Sequence, residues 1–459
     1  MVIQSGKIHS ILFFFGLTVS CPDSIAQNPI IQNVFTADPA PMVYNDTLFL
    51  FTGHDEDSAT TKGFIMNDYL CFSTTDMVNW TQHGVVFSTP SLGWAAKHNA
   101  NAAQVAYRNG KFYYYISPWS ALKDGGDCIA IGIADNPTGP YKDVLGKPFI
   151  YPSETKYCGH LWEDIDPTIL IDDDGEAYMY WGNNALYAVK LNKDMISYSG
   201  EIKTFDIKDT SAFGPDYEEA PWIFKHNGIY YLMYAAFVPE HIYYSTSTSP
   251  LGPWKYGGVI MDAKAQGSIG NHPGVIQYKN NWYFFYMNED LPNGHDKRRA
   301  VNVIPFHFNV DGSISKLSHS NEGITKSLKN LNPFQRTEAE TMAWEVGIET
   351  AKDNVAGVYV TDISNNDYIK VRSVDFGNGA NQFSANVAAG ATGGSIEIHL
   401  DAIDGPLAGI CKIKVTGGGK QWKNFSTKIK NTKGVHDIYF VFKGKNEQLF
   451  NFNYWVFNK

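Results

Sequence analysis

Between residues 45 and 288 the apolar positions fall in short runs rather than at helical spacing. Each run follows an Asn, Asp or Gly turn and is dense in aromatic residues: NDTLFLFTG (45–53), NGKFYYYIS (109–117), DGEAYMYWG (174–182), NGIYYLMYA (227–235) and NNWYFFYMN (280–288). Turn residues followed by β-branched and aromatic runs predict strands. The five copies begin 64, 65, 53 and 53 residues apart. Such spacing holds about four strands and their turns, the mark of a propeller blade. The pattern predicts an all-β fold that opens with a five-bladed β-propeller.

The strand before each turn carries a second regularity. Counting eight residues back from Asp46, Asn109, Asp174, Asn227 and Asn280 lands on Asp38, Asn101, Asp166, Glu219 and His272. Pro follows closely at positions 39, 167, 221 and 273. First strands of propeller blades line the central channel, so equivalent positions on them converge. Three carboxylates from three blades are therefore expected in one pocket. Asp172, Asp173 and Asp174 belong to a turn, where Asp suits the backbone; their spacing and the missing distal Glu do not fit a calcium loop. Alternation places Asp164 on the same face as Asp166, and sends only one of Glu218 and Glu219 inward. The count selects Glu219.

Composition narrows the partner. The chain has 459 residues, 44% apolar and 14% aromatic, with 27 Tyr, 28 Phe and 11 Trp. Flat rings suit sugar faces as well as β cores. A net charge of −10 argues against nucleic acid. No long apolar run follows the N-terminus, so no membrane span is expected. Residues 1–26 read as an export signal: Lys7 and His9, then ILFFFGLTVS (11–20), then Ser24-Ile25-Ala26. Lipid attachment at Cys21 is the second option, and either route leads to the periplasm or the exterior. The cysteines at 21, 71, 128, 158 and 411 show no metal spacing. The expectation is buried free thiols, with a 128–158 disulfide left open. Oligomeric state is not legible.

Two Asp and one Glu are the set that glycosidic hydrolysis needs: a protonated acid, an ionised base or nucleophile, and a neighbour that raises the acid's pKa. In this assignment Asp38 activates water, Glu219 protonates the leaving oxygen and Asp166 modulates and orients. His272 reads either as a core histidine or as an axial group holding water, an ion or a carboxylate. Arg298 or Arg299 follows the last blade, and Arg298 is taken as the substrate contact together with Asn101, Asn183 and Trp222. Trp119, Trp162 and Trp181 are further candidates for subsite walls, with core packing the alternative for each.

The motifs TADPAPMVYNDTLFLFTGHDE, DIDPTILIDDDGEAYMYWG, YEEAPWIFKHNGIYYLMYA and GNHPGVIQYKNNWYFFY resemble glycoside hydrolase family 43 over about residues 30–325. The resemblance implies a five-bladed propeller, inversion of configuration, and β-xylosidase, α-L-arabinofuranosidase or arabinan-hydrolysing activity. It implies that Asp38 is the base, Asp166 the pKa modulator, Glu219 the acid and His272 the axial histidine, with an ion sometimes on the propeller axis. No cofactor takes part in the chemistry. The sequence departs from many relatives at Asn101, where an aromatic is common. The implied activity is an exo-glycosidase releasing pentoses from arabinoxylan, xylan or arabinan fragments. A retaining fructan hydrolase on a similar propeller and a non-catalytic sugar-binding propeller stay open at this point. Carboxylate separation distinguishes inversion (roughly 6.5–9.5 Å) from retention (about 5–5.5 Å).

Residues 27–326 are thus assigned to the propeller and 327–333 to a polar linker. From 334 to 459 the texture changes to regular short strands such as GVYVTDI, SIEIHLD and VHDIYFVF, which predict a jelly-roll-like β-sandwich. The motifs TEAETMAW, GVYVTDISNNDYIKV, GSIEIHLDAIDGP and LFNFNYWVF resemble a family 6 carbohydrate-binding module. That resemblance implies a structural calcium held by Glu338, Glu340 and Asn453, where Asp is common at the last place. It implies a ligand cleft with Tyr359, Asn451 and a loop Trp. Gly419 stands at the usual exposed Trp position, and Trp422 is the remaining loop Trp.

Overall fold

The computed structural model describes residues 27–459 apart from 124, 156, 265–268 and 446. The export segment and Cys21 lie outside the described residues. Five antiparallel sheets follow one another from residue 36 to 306. Their first strands are Thr36–Tyr44, Ala95–Arg108, Thr168–Ile171, Glu219–His226 and Gly274–Tyr278. Each packs against the first strand of the next blade, and Gly274–Tyr278 packs back on Thr36–Tyr44, so the contacts run in a closed cycle. At that closure a Cβ on Gly274 would stand 2.4 Å from the Pro39 carbonyl oxygen, so only glycine lets blades five and one approach.

The aromatic runs are the second strands, and they fill the space between blades. Tyr114, Tyr115, Tyr180, Trp181, Tyr231, Tyr234 and Tyr286 are wholly buried. Truncating Trp181 to Ala would cost on the order of 3–5 kcal/mol. Its indole N–H donates to Asp164 (2.8 Å), so Trp181 belongs to the core rather than to a sugar subsite. Trp222 does the same through the Val275 carbonyl (3.1 Å) and is 3% exposed, which corrects its assignment as a substrate contact. Asp164 turns away from Asp166 because the stretch before Thr168–Ile171 is not yet strand and does not alternate.

Residues 344–458 form the expected sandwich. One sheet runs Glu349–Asp353, Gly357–Thr361, Asn451–Asn458, Ala380–Ala388, Lys423–Thr432; the other runs Trp344–Val346, Tyr368–Asp375, Val435–Lys443, Gly394–Leu400, Leu407–Ile413. Their apolar faces enclose a single core around Phe440, Phe452 and Trp455. The linker is not a free tether: the Leu328 N–H donates to the Asp76 carbonyl and the Leu331 N–H to the Ser373 carbonyl (2.9 Å each). Thr341–Met342 pairs with Trp80–Thr81 and so adds a fifth strand to the outer edge of blade one. Asn79 and Arg372 exchange two side chain–backbone hydrogen bonds (2.8 and 2.9 Å) across the same boundary.

Cys71, Cys128 and Cys411 are buried free thiols. Cys158 is exposed on a loop, its Sγ 3.0 Å from His160 Nε2, whereas the Cys128 thiol donates to the Pro118 carbonyl inside blade two. The 128–158 disulfide does not form. Among the described residues no helix is long and apolar enough to cross a membrane.

Candidate active site

One end of the first strands opens into a cleft of about 250 Å³ lined by Asp38, Asn101, Asp166, Asn183, Glu218, Glu219, Glu240, His272 and Arg299, among others. The local backbone explains why acids reach it. Asp38 (φ 52°), Asp166 (φ 62°) and Ala220 (φ 57°) lie in the left-handed region, each just before a proline. In blades one and four this residue sits in a bulge: pairing jumps from Ala37↔Gly53 to Ala40↔Phe51, and from Glu219↔Ala235 to Trp222↔Met233. A bulge bends the strand and re-aims side chains. Left-handed geometry at a non-glycine residue costs about 1–3 kcal/mol and survives only where surrounding structure imposes it.

The bulges also correct the register. Ala220, not Glu219, is the equivalent of Asp38. Counting back from Asn227 reached Glu219 because Asn227 is the first residue of its turn, while Asp46 is the second of its own. Glu219 still enters the cleft from one position upstream. Glu218 lines it too, with the Asn184 side-chain amide donating to it (2.9 Å). Alternation fails there because Glu218 precedes the strand, which begins at Glu219.

Contacts across blade boundaries fix each acid. Arg299, from the loop before Ala300–Phe306, donates to Asp38 Oδ1 (3.0 Å) and forks onto both oxygens of Asp55 (2.9 Å each). Asp55 is wholly buried. Arg298 does not enter: its Nε donates to His295 and its guanidinium lies 5.5 Å from the Phe35 ring. The cleft arginine is therefore Arg299. Asp166 Oδ2 accepts the Ala220 N–H (3.0 Å), and its own N–H donates to Ser117 Oγ (3.0 Å). Asn183 Nδ2 donates to Glu219 Oε2. Asn101 Nδ2 donates to Asp127 Oδ1 (3.0 Å). His272 Nδ1 stands 4.0 Å from Asp38 Oδ1.

Burial pushes Asp38 up to about 6, with the charges of Asp55 and Glu219 adding and Arg299 opposing. Burial, then the charges of Glu219 and Asp38, push Asp166 well above the usual carboxylate range. Burial opposes the charge on Arg299, but Asp38 and Asp55 hold it well above its ordinary value. Burial and the Arg299 charge lower His272 to about 3, so the ring is neutral at ordinary pH. The cleft can thus hold an ionised Asp38 above pH 6 beside an Asp166 that keeps its proton.

Ligand chemistry differs between the two proposed ion sites. Among the described residues no three His, Cys or carboxylate donors gather at His272; the one such group is His54, Glu56 and Asp68, off the axis. The donor set at His272 does not fit an axial ion held by protein groups. In the sandwich, Glu340 Oε2 and Asn453 Oδ1 are buried without a hydrogen-bond partner beside the strand Asn451–Asn458. Orphaned oxygens of this kind fit a hard cation such as calcium. Glu338 is engaged by Arg336 through two hydrogen bonds of 2.8 Å. The residues expected to line a ligand cleft make pairwise contacts. Tyr359 and Trp422 meet edge to face at 5.2 Å, and Asn451 accepts from Thr361 (2.9 Å) while donating to the Gly419 carbonyl (2.7 Å).

Residues 26–314 match the family described as Glycosyl hydrolases family 43, and residues 338–459 match Carbohydrate binding module (family 6). The chain belongs to glycosyl hydrolase family 43. It is a glycoside hydrolase with a family 6 module. It is 34% identical to an arabinoxylan arabinofuranohydrolase of Bacillus subtilis (strain 168), over 94% of this chain and 92% of that protein. Another arabinoxylan arabinofuranohydrolase, from Paenibacillus polymyxa, is also 34% identical, over 94% of this chain and 74% of its own. A crystal structure of a family 43 arabinoxylan arabinofuranohydrolase from Bacillus subtilis, in complex with cellotetraose, superposes with a TM-score of 0.83 at 32% identity, covering 95% of this chain and 98% of the other.

Proposed function

We propose that this chain is an exported, inverting exo-glycosidase that removes arabinofuranosyl groups from arabinoxylan fragments. The observation that carries the reading is the meeting of Asp38, Asp166 and Glu219, from three blades, in one cleft with Arg299 on the first and Asn183 on the last. The similarity to two arabinoxylan arabinofuranohydrolases, which spans both domains, supports the sugar and the polymer. Asp38 takes a proton from water as that water attacks the anomeric carbon. Glu219 gives its proton to the departing glycosidic oxygen, and Asp166, anchored by the Ala220 N–H beside Glu219, orients it. His272, Asn101 and Arg299 hold the sugar or the base.

Trp162 stacks on His160 at 4.5 Å and is 53% exposed, which suits it to a sugar face of the backbone chain. The sandwich binds glycan through Tyr359, Trp422 and Asn451, and calcium through Glu340 and Asn453. Residues 327–333 mark the domain boundary. The leader, cleaved after Ala26 or lipidated at Cys21, directs the protein to the periplasm or the exterior. NMR analysis of products from arabinoxylan and arabinan oligosaccharides tests the whole reading. Free arabinose appearing first as the β-anomer is expected; release of xylose alone, or the α-anomer first, overturns it.

A further inference from the structure

Asp127 is a buried acid beside this cleft to which the scheme above gives no task. It is 3% exposed and does not line the cleft itself. Its place is fixed from several sides. Gly126–Asp127 pairs with Trp119–Ser120, and the Asp127 N–H donates to the Leu161 carbonyl (2.7 Å). Gly126 (φ 139°) is bound to be glycine there, because a Cβ would stand 2.9 Å from the same Leu161 oxygen.

The side chain of Asp127 is spent on one partner. Its Oδ1 accepts the Asn101 Nδ2 hydrogen (3.0 Å), and among the described residues neither side chain makes another hydrogen bond. Asn101 does line the cleft. It stands at a bulge, where pairing jumps from Asn101↔Ser117 to Ala103↔Ile116, and the Tyr69 hydroxyl holds its backbone carbonyl (2.9 Å). A carboxamide has an accepting end and a donating end. With the donating end turned to Asp127, the end left for a ligand is the oxygen Oδ1. Burial pushes Asp127 up to about 8, with the charges of Asp164 and Glu219 adding and the Asn101 hydrogen bond opposing. A carboxyl protonated on its other oxygen still accepts at Oδ1, so the contact survives either state.

We propose that Asp127 is a positioning residue for Asn101, and that Asn101 sets specificity by turning Oδ1 to the bound sugar and accepting a hydrogen bond from one of its hydroxyls. This rests on the cleft taking an arabinofuranosyl group. A hydroxyl can give hydrogen to an amide oxygen; a fluorine in its place cannot. An amide not held by Asp127 meets the sugar with either end and loses that discrimination.

The test is kcat/KM of the full chain on nitrophenyl arabinofuranoside and on its analogues with one hydroxyl at a time replaced by hydrogen or by fluorine. Comparing each analogue between enzymes cancels its inherent reactivity. At one hydroxyl, both replacements are expected to cost the unmutated enzyme about tenfold more than they cost Asn101→Ala. Asp127→Leu is expected to erase most of that difference, and Asn101→Ala with Asp127→Leu to match Asn101→Ala alone. Should Asp127→Leu fail to fold, Asp127→Ala is read the same way. Selectivity that survives Asn101→Ala overturns the proposal, as does a site where fluorine is tolerated and hydrogen is not, which would put the donating end towards the sugar. Losses from the two substitutions that simply add would overturn the part given to Asp127. No hydrolysis of the parent arabinofuranoside would instead sink the arabinofuranosyl reading, independently of Asn101.

Discussion

The propeller and the sandwich are both antiparallel sheet built on aromatic cores, yet they treat buried oxygen differently. In the propeller, five first strands point one end at a common axis, so acids distant in sequence crowd into one cleft and stay partly protonated. In the sandwich, strands lie side by side and converge nowhere. The groups proposed to bind glycan meet in pairs, Tyr359 with Trp422 and Thr361 with Asn451, and its buried Glu340 has no acid-crowded cleft around it. Convergence makes a place for chemistry; parallel packing makes a place for holding.

The sharpest way to break this comparison is to remove one proposed functional side chain from each domain. Asp38→Asn or Glu219→Gln should lower kcat on arabinoxylan oligosaccharides by about 10²–10⁴-fold, whereas Trp422→Ala should leave turnover of small aryl arabinofuranosides within about twofold and reduce only retention on insoluble polymer. Equal losses from both would erase the distinction.

The next effect is on pH. Because burial raises Asp38 to about 6, kcat/KM should fall to half near pH 6 and decline tenfold per unit below it. Arg299 opposes that rise, so Arg299→Met should move the acid limb to higher pH. A limb that stays put would show that the guanidinium does not set the charge of Asp38.

A smaller effect concerns stability. Asp166 has its folded pKa raised, so the folded state binds the proton more tightly than the unfolded chain does. Its destabilising contribution is absent below the ordinary carboxylate value and grows as pH rises towards the folded value. Asp166→Asn should therefore raise the melting temperature at pH 7 by a few degrees, about 2–4 °C per kcal/mol relieved, while abolishing activity. A lower melting temperature would mean that the Ala220 hydrogen bond outweighs the cost of burial.

The smallest expected shift is in the sandwich. Removing calcium with a chelator should lower its melting transition by a few degrees, and Glu340→Gln should make that transition indifferent to calcium. No response to chelator in the unmutated protein would mean that the orphaned oxygens of Glu340 and Asn453 hold no ion.

How much of this was legible depended on whether a residue belonged to the repeat. Asp38 and Asp166 stand at fixed distances before a turn that recurs, so the propeller and two of its acids could be read from spacing. Glu219 was reached by a count one residue out, and the bulge at Ala220 makes the difference harmless. Arg299 and Arg298 are adjacent in a loop outside any register, and only the fork onto Asp55 separates them. Asp55 and Glu240 come from connections after the second strands, whose lengths vary from blade to blade. Glu240 carries no local mark; its neighbour FVPEH resembles any exposed turn. Trp222 looked like a sugar contact because aromatic residues serve cores and ligands alike, and nothing in a single sequence tells them apart.

Two residues, Thr341 and Met342, turn the last strand of blade one from a rim into an interior strand of a sheet that both domains own. A propeller cut free of that addition would leave the amides and carbonyls of Trp80–Gln82 unpaired at a sheet edge, open to pairing with another copy. The first symptom of such a truncation would be clumping of molecules whose chemistry is intact.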